Sequence, residues 1–253
     1  MVEILDGDVE EEVVAAGQHE DAEYFGNGAR KTVVAMPEGL ELSSPHTAIG
    51  TLAALRAVSR HIHGTPDLTG RRVAVVGLGS AGEKIARLLA DQGAVLLLSD
   101  TDPAKQRLSA ELGATWNHPD QALTADVDIL VPAALGGVLT EQLVPRLRCA
   151  AIAGPANNQL AVSAVADLLH GRGIAWVPDY VAGAGGVIHA LTVELHHGTT
   201  GQALTRVQAI EDTVTDLLTT TRRTGVTLAR AAHELTRRRL RAATAHRYAP
   251  GAV

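Results

Sequence analysis

The chain has 253 residues, enough for one large or two modest domains, and its 22 basic and 28 acidic residues give a formal charge of -6, a balance that argues against a nucleic-acid platform. Hydrophobic residues make up 46% but aromatics only 2%, so the core must be built from Ala, Val, Leu and Ile. No apolar run approaches the roughly 20 residues of a membrane-spanning helix, and the single cysteine, Cys149, precludes an internal disulfide and fits a reducing, cytoplasmic setting.

The acidic opening lacks the apolar centre of a signal peptide. Within residues 1–42, Asn27-Gly28 stands before the apolar run 32–36, which predicts two short antiparallel strands. Ser43-Ser44-Pro45 reads as a helix entry, with Ala, Leu and Val at helical spacing from 48 to 61. A loop over 64–70 follows.

Residues 71–76 then form a buried strand running into Gly77-Leu78-Gly79-Ser80-Ala81-Gly82 and a helix to about 92. A second apolar run, 94–99, closes on Asp100-Thr101. In this strand–turn–helix context the glycine spacing is a dinucleotide-binding fingerprint. Gly77 permits the tight turn, Gly79 lets the backbone approach a pyrophosphate, and Gly82 lets the helix pack closely on the strand. The pyrophosphate would sit over the free N–H groups of Ser80 and Ala81. Asp100 would accept hydrogen bonds from the adenosine ribose and repel a 2′-phosphate, so NAD is the expected cofactor.

Alternation continues with a helix over 103–112, a strand ending at 128–132, a short helix near 140–143, a strand over 150–153, a helix over 161–170 and a strand over 174–177. The pattern predicts an α/β fold, a doubly wound (Rossmann), mostly parallel sheet. From 187 to 247 the chain reads as helical, with breaks near Gly198 and Gly225. The expected organisation is a short β segment over 1–42, a nucleotide-binding domain over 43–195 and a helical region over 196–253. Cys149 is expected to be an inert core thiol, and Arg237-Arg238-Arg239 with Arg241 a solvated helix end.

Five blocks carry a resemblance: Ser44-Pro45-His46-Thr47-Ala48-Ile49-Gly50, the Gly77 fingerprint, Val131-Pro132-Ala133-Ala134-Leu135-Gly136, the stretch 152–160 around Ala156-Asn157-Asn158, and the stretch 178–188 around Gly185-Gly186. In order and spacing they resemble the Glu/Leu/Phe/Val amino-acid dehydrogenases, and within them the leucine and phenylalanine dehydrogenase branch. The resemblance implies that Thr47 contacts the nicotinamide end of NAD and that Ala133, Ala134 and Leu135 line the adenosine and ribose path. Ala156, Asn157 and Asn158 would hold the nicotinamide ribose and carboxamide, and a Gly185-Gly186 loop would approach the substrate. It also implies a small-molecule substrate and a homodimer or higher homo-oligomer. On the residues alone, the lesser alternatives are that Asn157-Asn158 caps the helix that follows and that Gly185-Gly186 is a structural turn.

The departures carry equal weight. The family's glycine-rich lysine motif, which supplies the substrate-binding and general-base lysines from an N-terminal catalytic domain, has no counterpart in this sequence. Residues 1–42 resemble only the first strands of that domain, as a truncated remnant. The only lysines are Lys31, Lys84 and Lys105. The family usually has Asn where this chain has Gly183, and Asn or a similar residue at His189. Ordinary lysine-assisted oxidative deamination is therefore not expected. His46, His189 and Asp179 become the candidate proton-transfer groups. No metal site is expected, because adjacent His196 and His197 would point about 100° apart on a helix. Two readings remain: an NAD-dependent oxidoreductase acting on an amino acid, imine or oxo compound, and a non-catalytic NAD-binding protein or subunit that needs a partner.

Overall fold

The apolar runs of the sequence become strands wherever both faces are covered. The computed structural model describes residues 43–247 and the two strand pairs 12–13 and 31–32. The short strands β1 (Glu12–Val13) and β2 (Lys31–Thr32) pair with each other. The central sheet is built from β3 (Arg72–Val76), β4 (Val95–Ser99), β5 (Thr115–Trp116), β6 (Ile129–Pro132), β7 (Ala151–Ile152) and β8 (Ala175–Trp176). Their order is β5-β4-β3-β6-β7-β8, and every pairing is parallel. The order reverses between β3 and β6, the switch point at which such sheets open a ligand crevice at their carboxyl edge. The expected doubly wound fold is present.

Helix α1 (Ser43–His63) precedes this sheet and spans roughly 30 Å. Its residues Ala48, Thr51, Leu55 and Val58 are fully buried at helical spacing. Helices α2 (Ser80–Asp91), α3 (Gln106–Glu111), α4 (Pro119–Leu123) and α5 (Val165–Gly171) connect the strands. After β8 come α6 (Asp179–Ala182), α7 (Gly185–Ala190) with a π-helical extension over Leu191–Leu195, α8 (Thr200–Gln208), α9 (Ile210–Thr224) and α10 (Leu228–Arg247). The breaks at Gly198 and Gly225 are real, and Gly225 ends α9 in the left-handed region at φ 72°. One apolar cluster runs from α1 through the sheet to Val207, Val214 and Ala232 of the C-terminal helices.

Four expectations need correction. β1 and β2 run parallel, with Glu12 beside Lys31 and Val13 beside Thr32. A parallel pair is not joined by the two-residue hairpin that Asn-Gly signals. The short helix near 140–143 is a turn, followed by a single 3₁₀ turn at Val144–Arg146, because Pro145 withholds a donor. β5 and α4 are additional elements, too short to show periodicity in the sequence. Gly185-Gly186 is not a loop but the buried start of α7.

That start of α7 has a specific packing reason. A Cβ at Gly185 would run into the backbone carbonyl of His46, and a Cβ at Gly50 would lie 2.8 Å from Ile210 Cδ1 and 3.2 Å from Gly185 Cα. The two helices thus touch backbone to backbone. Thr51 Oγ1 donates to Ala182 O at 3.2 Å, tying α1 to α6 as well. Gly185→Ala is expected to destabilise the fold by roughly 3 kcal/mol through overpacking, read as a lowered urea midpoint with an unchanged slope.

Candidate cofactor and active site

The glycine turn after β3 is shaped by its own packing at two of three positions. Gly77 has φ 102°, and a Cβ there would strike Ala134; a Cβ at Gly82 would strike the Gly77 carbonyl. Gly79 is different, since a Cβ there would meet no protein atom within 4 Å. The chain itself does not require glycine at that position. The cradle opens onto space that a side chain would fill and a pyrophosphate fits.

Around the cradle, Ser80 opens α2 with its hydroxyl 2.8 Å from that of Ser44 in the first turn of α1. Lys84 Nζ reaches back to Ser80 O and Oγ, each at 3.1 Å. Ser44 opens the first block of resemblance and Lys84 is one of three lysines in the sequence, but neither contact with Ser80 was expected; the spacing of four between Ser80 and Lys84 was the available signal. Ala81 is half-buried behind Ser80. Lys105 is engaged elsewhere, 3.4 Å from Glu83.

Asp100, at the end of β4, points its carboxylate into the turn. Its Oδ2 accepts from Leu78 N at 2.6 Å and its Oδ1 from Asp102 N at 2.9 Å. It therefore braces the glycine turn, beside exposed Thr101.

Across the switch point, β6 delivers half-buried Ala133 and exposed Ala134 and Leu135. Leu135 is 74% exposed, unusual for a leucine with nothing to cover it. Ala156 is buried, whereas Asn157 and Asn158 form an exposed turn. Asn158 sits at φ 53°. Its N–H donates to Asp179 Oδ2 at 2.7 Å, and its carbonyl accepts from Gly137 N at 2.7 Å. These asparagines do not cap a helix: α5 begins at Val165, after Ala164.

The three candidate proton-transfer residues divide. The His46 and His189 rings stack with centroids 3.6 Å apart and planes at 19°. Burial lowers the His189 pKa, and the neighbouring His46 ring lowers it further, against a smaller opposing pull from Glu194. His189 is thus neutral at pH 7, able to accept a proton. Thr47, adjacent to His46, is half-buried in the same turn of α1. Asp179 is instead bound to the Asn158 backbone. Burial raises its pKa above the ordinary aspartate value, opposed chiefly by the Asn158 N–H. Gly183 lies behind it, where a Cβ would sit 3.0 Å from Asp179 O. Cys149 is buried and its thiol is pushed up to about 11 by desolvation, as an inert core thiol requires.

The comparisons with known proteins agree with this architecture. The family described as Glutamate/Leucine/Phenylalanine/Valine dehydrogenase matches residues 99–247. A leucine dehydrogenase of Bacillus cereus is 35% identical over 198 residues, 78% of this chain and 54% of that enzyme. The chain belongs to the Glu/Leu/Phe/Val dehydrogenase family. A phenylalanine dehydrogenase of Caldalkalibacillus thermarum is 34% identical over 217 residues, 82% of this chain and 58% of the relative. The crystal structure of L-tryptophan dehydrogenase from Nostoc punctiforme superimposes with a TM-score of 0.77 at 34% identity, covering 79% of this chain and 60% of that one. The chain thus spans just over half the length of the dehydrogenases it matches. Among the described residues no helix is long and apolar enough to cross a membrane.

Asp179 supplies a pH test of its place in the site. Its raised folded pKa means that folding favours the protonated carboxyl. That contribution is complete below the ordinary aspartate range and is lost as pH rises through the raised value. Asp179→Asn carries no such ionisation, so its stability is expected to improve relative to wild type between pH 4 and pH 7. Urea midpoints at both pH values check this, and a gap independent of pH would contradict it.

Proposed function

We propose that the chain is an NAD-dependent oxidoreductase of its family, acting on an amino acid, imine or oxo compound at the carboxyl edge of the sheet. The observation that carries the reading is the open cradle over Gly79, at the switch point of a doubly wound sheet and with an acidic residue closing β4. Bound NAD supplies the hydride acceptor or donor. The chain's own residues do the remainder. Ser80 and Ala81 offer free N–H groups to the pyrophosphate, and Lys84 adds a cation beside them. Asp100 holds the turn and accepts from the adenosine ribose, disfavouring a 2′-phosphate. Ala133, Ala134 and Leu135 cover the adenosine side, while Asn157 and Asn158 present their turn to the nicotinamide side with Thr47 opposite. Asp179 is a positioning residue that keeps Asn158 in its left-handed conformation.

Within this reading the His46–His189 pair takes the proton role that lysine fills elsewhere in the family. Neutral His189 accepts the proton released when an amine or alcohol is oxidised and returns it in the reverse direction. The neighbouring His46 ring, after burial, disfavours a positive charge on His189. The substrate side of the crevice carries no described lysine, so substrate recognition rests on the histidines and on exposed backbone of the 133–137 and 157–158 turns. Self-association into a homo-oligomer and a cytoplasmic setting complete the proposal.

A second reading is favoured by the lysine placement. Lys84 and Lys105 are committed to Ser80 and Glu83, so a subunit that binds NAD and completes its catalytic groups from a partner protein accounts for the same geometry.

Calorimetric titration with NAD and NADH tests the common step. Gly79→Val is expected to lower stability by no more than about 1 kcal/mol, because a Cβ at this N-cap position meets no protein atom within 4 Å, yet to abolish binding. Asp100→Ala is expected to weaken binding and to lower stability by about 1–3 kcal/mol, because two backbone donors lose their acceptor. NADP is expected to bind at least about tenfold more weakly than NAD. Absence of NAD binding by the unsubstituted chain would overturn the proposal.

Where turnover is found, His189→Gln is expected to lower kcat/KM by roughly 10²-fold or more. The wild-type rate in the oxidative direction should fall as pH drops through the depressed His189 pKa, below the ordinary histidine value. A His189→Gln enzyme that keeps both rate and pH profile would remove the histidines from the mechanism and favour the partner-dependent reading.

A further inference from the structure

A second concavity lies at the opposite, amino edge of the sheet, where α1 ends, β8 begins and α9 turns into α10. It holds about 350 Å³, within the range of small-molecule sites. Its apolar wall includes Trp176, Leu218 and Leu228, and its polar groups include Arg222, His61 and Thr221. No aspartate or glutamate lines it.

Three features give this cavity a chemical preference. Arg222 is exposed and forms no ion pair among the described residues. Burial, and then the Arg222 charge, lower the His61 pKa, so Arg222 is the standing charge of the cavity at neutral pH. Thr221 Oγ1 is buried without a hydrogen-bond partner, an unmet cost that a ligand oxygen would relieve. The Trp176 indole N–H is already given to Gln159 Oε1 at 3.0 Å, leaving its ring as apolar wall. An inorganic anion would satisfy Arg222 and leave the wall uncovered. A neutral apolar molecule would cover the wall and desolvate Arg222 and Thr221 without partners.

We infer that this cavity is a binding site for a small organic monocarboxylate with an aliphatic or aromatic body, its carboxylate on Arg222 and Thr221 and its body against Trp176, Leu218 and Leu228. The guanidinium fork matches a carboxylate in geometry. The site stands roughly one length of α1 from the His46–His189 corner, and nothing in it depends on occupancy of the dinucleotide crevice.

The test uses the full chain with isovalerate and phenylacetate as probes, and isovaleramide and phenylacetamide as neutral controls. The chain has two tryptophans, so a Trp116→Phe background isolates Trp176 fluorescence, and calorimetry on the unsubstituted chain reports the same titration without it. Saturable binding of both carboxylates is expected, with the amides about tenfold weaker or more. Arg222→Gln is expected to weaken the carboxylates by a similar factor with an unchanged unfolding midpoint, and Gly79→Val to leave them unaffected. The inference is overturned by absence of saturable binding, by equal affinity for acids and amides, or by full affinity in Arg222→Gln.

Discussion

The contact on which the site depends is the meeting of α1 and α7 at backbone distance. Gly185 sits against the carbonyl of His46, and Gly50 sits against Gly185 and Ile210. Without side chains at these points the helices come close enough for His46 and His189 to stack. The same helix reaches α2 through the Ser44–Ser80 hydroxyl pair and α6 through Thr51. Because α1 also packs against α8 and α9, a shift in its axis would move the glycine turn, the histidine pair and the C-terminal helices together. At the far end, Ser59 donates to the Thr65 and Asp67 carbonyls, and Arg56 and Arg60 both pair with Glu211. The helix is held at both ends. Exposed ion pairs contribute little stability on their own, so the buried apolar face and the glycine contacts set its position.

The two halves of the sheet use a carboxylate in the same way. Asp100 follows β4 and fixes Leu78 N in the first half; Asp179 follows β8 and fixes Asn158 N in the second. Each acid stands just beyond the carboxyl end of a strand and accepts from the backbone of a turn at that edge of the sheet, buried at Leu78 and exposed at Asn158. A turn left to itself would sample several conformations, and ordering it only on binding would cost affinity. Asn158 in particular occupies a left-handed backbone region that a non-glycine residue seldom adopts unaided. The half-buried Asp179 offsets that tendency, at the expense of a carboxylate that burial disfavours in its charged form.

The fold was legible because its signals are local and periodic. β3, β4 and β6 are continuous apolar runs, α2 shows helical spacing, and the Gly77–Gly82 turn has a fixed spacing in a fixed context. What was missed was short or depended on distant contacts. β5 has two residues and α4 five, so neither completes a period. The parallel pairing of Glu12–Val13 with Lys31–Thr32 was hidden by an Asn-Gly signal that pointed to a hairpin. At the site, the glycine turn and both histidines could be named in advance, but their contacts could not. Asp179 looked like an acid–base group in the sequence, and only the fold shows its carboxylate taken up by a backbone N–H. Gly185-Gly186 was expected to be a loop near the substrate, since glycine in sequence cannot distinguish a turn from close packing.

Charge is distributed unevenly across the crevice, and that limits the chemistry available to it. The phosphate side has Lys84 over Ser80, with a second network behind it in which Glu83 binds Arg87 and Lys105, and Arg87 also binds Glu111. The opposite side, around α7 and the 157–158 turn, presents a stacked imidazole pair with no described lysine beside it. An anion is therefore stabilised at the adenosine and phosphate end, where the glycine turn and the α2 N-terminus already favour one. Around α7, burial first and then the neighbouring His46 ring oppose a positive charge on His189, which keeps it neutral rather than cationic. A group in that state suits proton acceptance better than clamping a substrate carboxylate. On the proposed reading the electrostatics separate two tasks: the histidine pair serves proton transfer, while carboxylate binding falls to backbone donors or to a second protein surface.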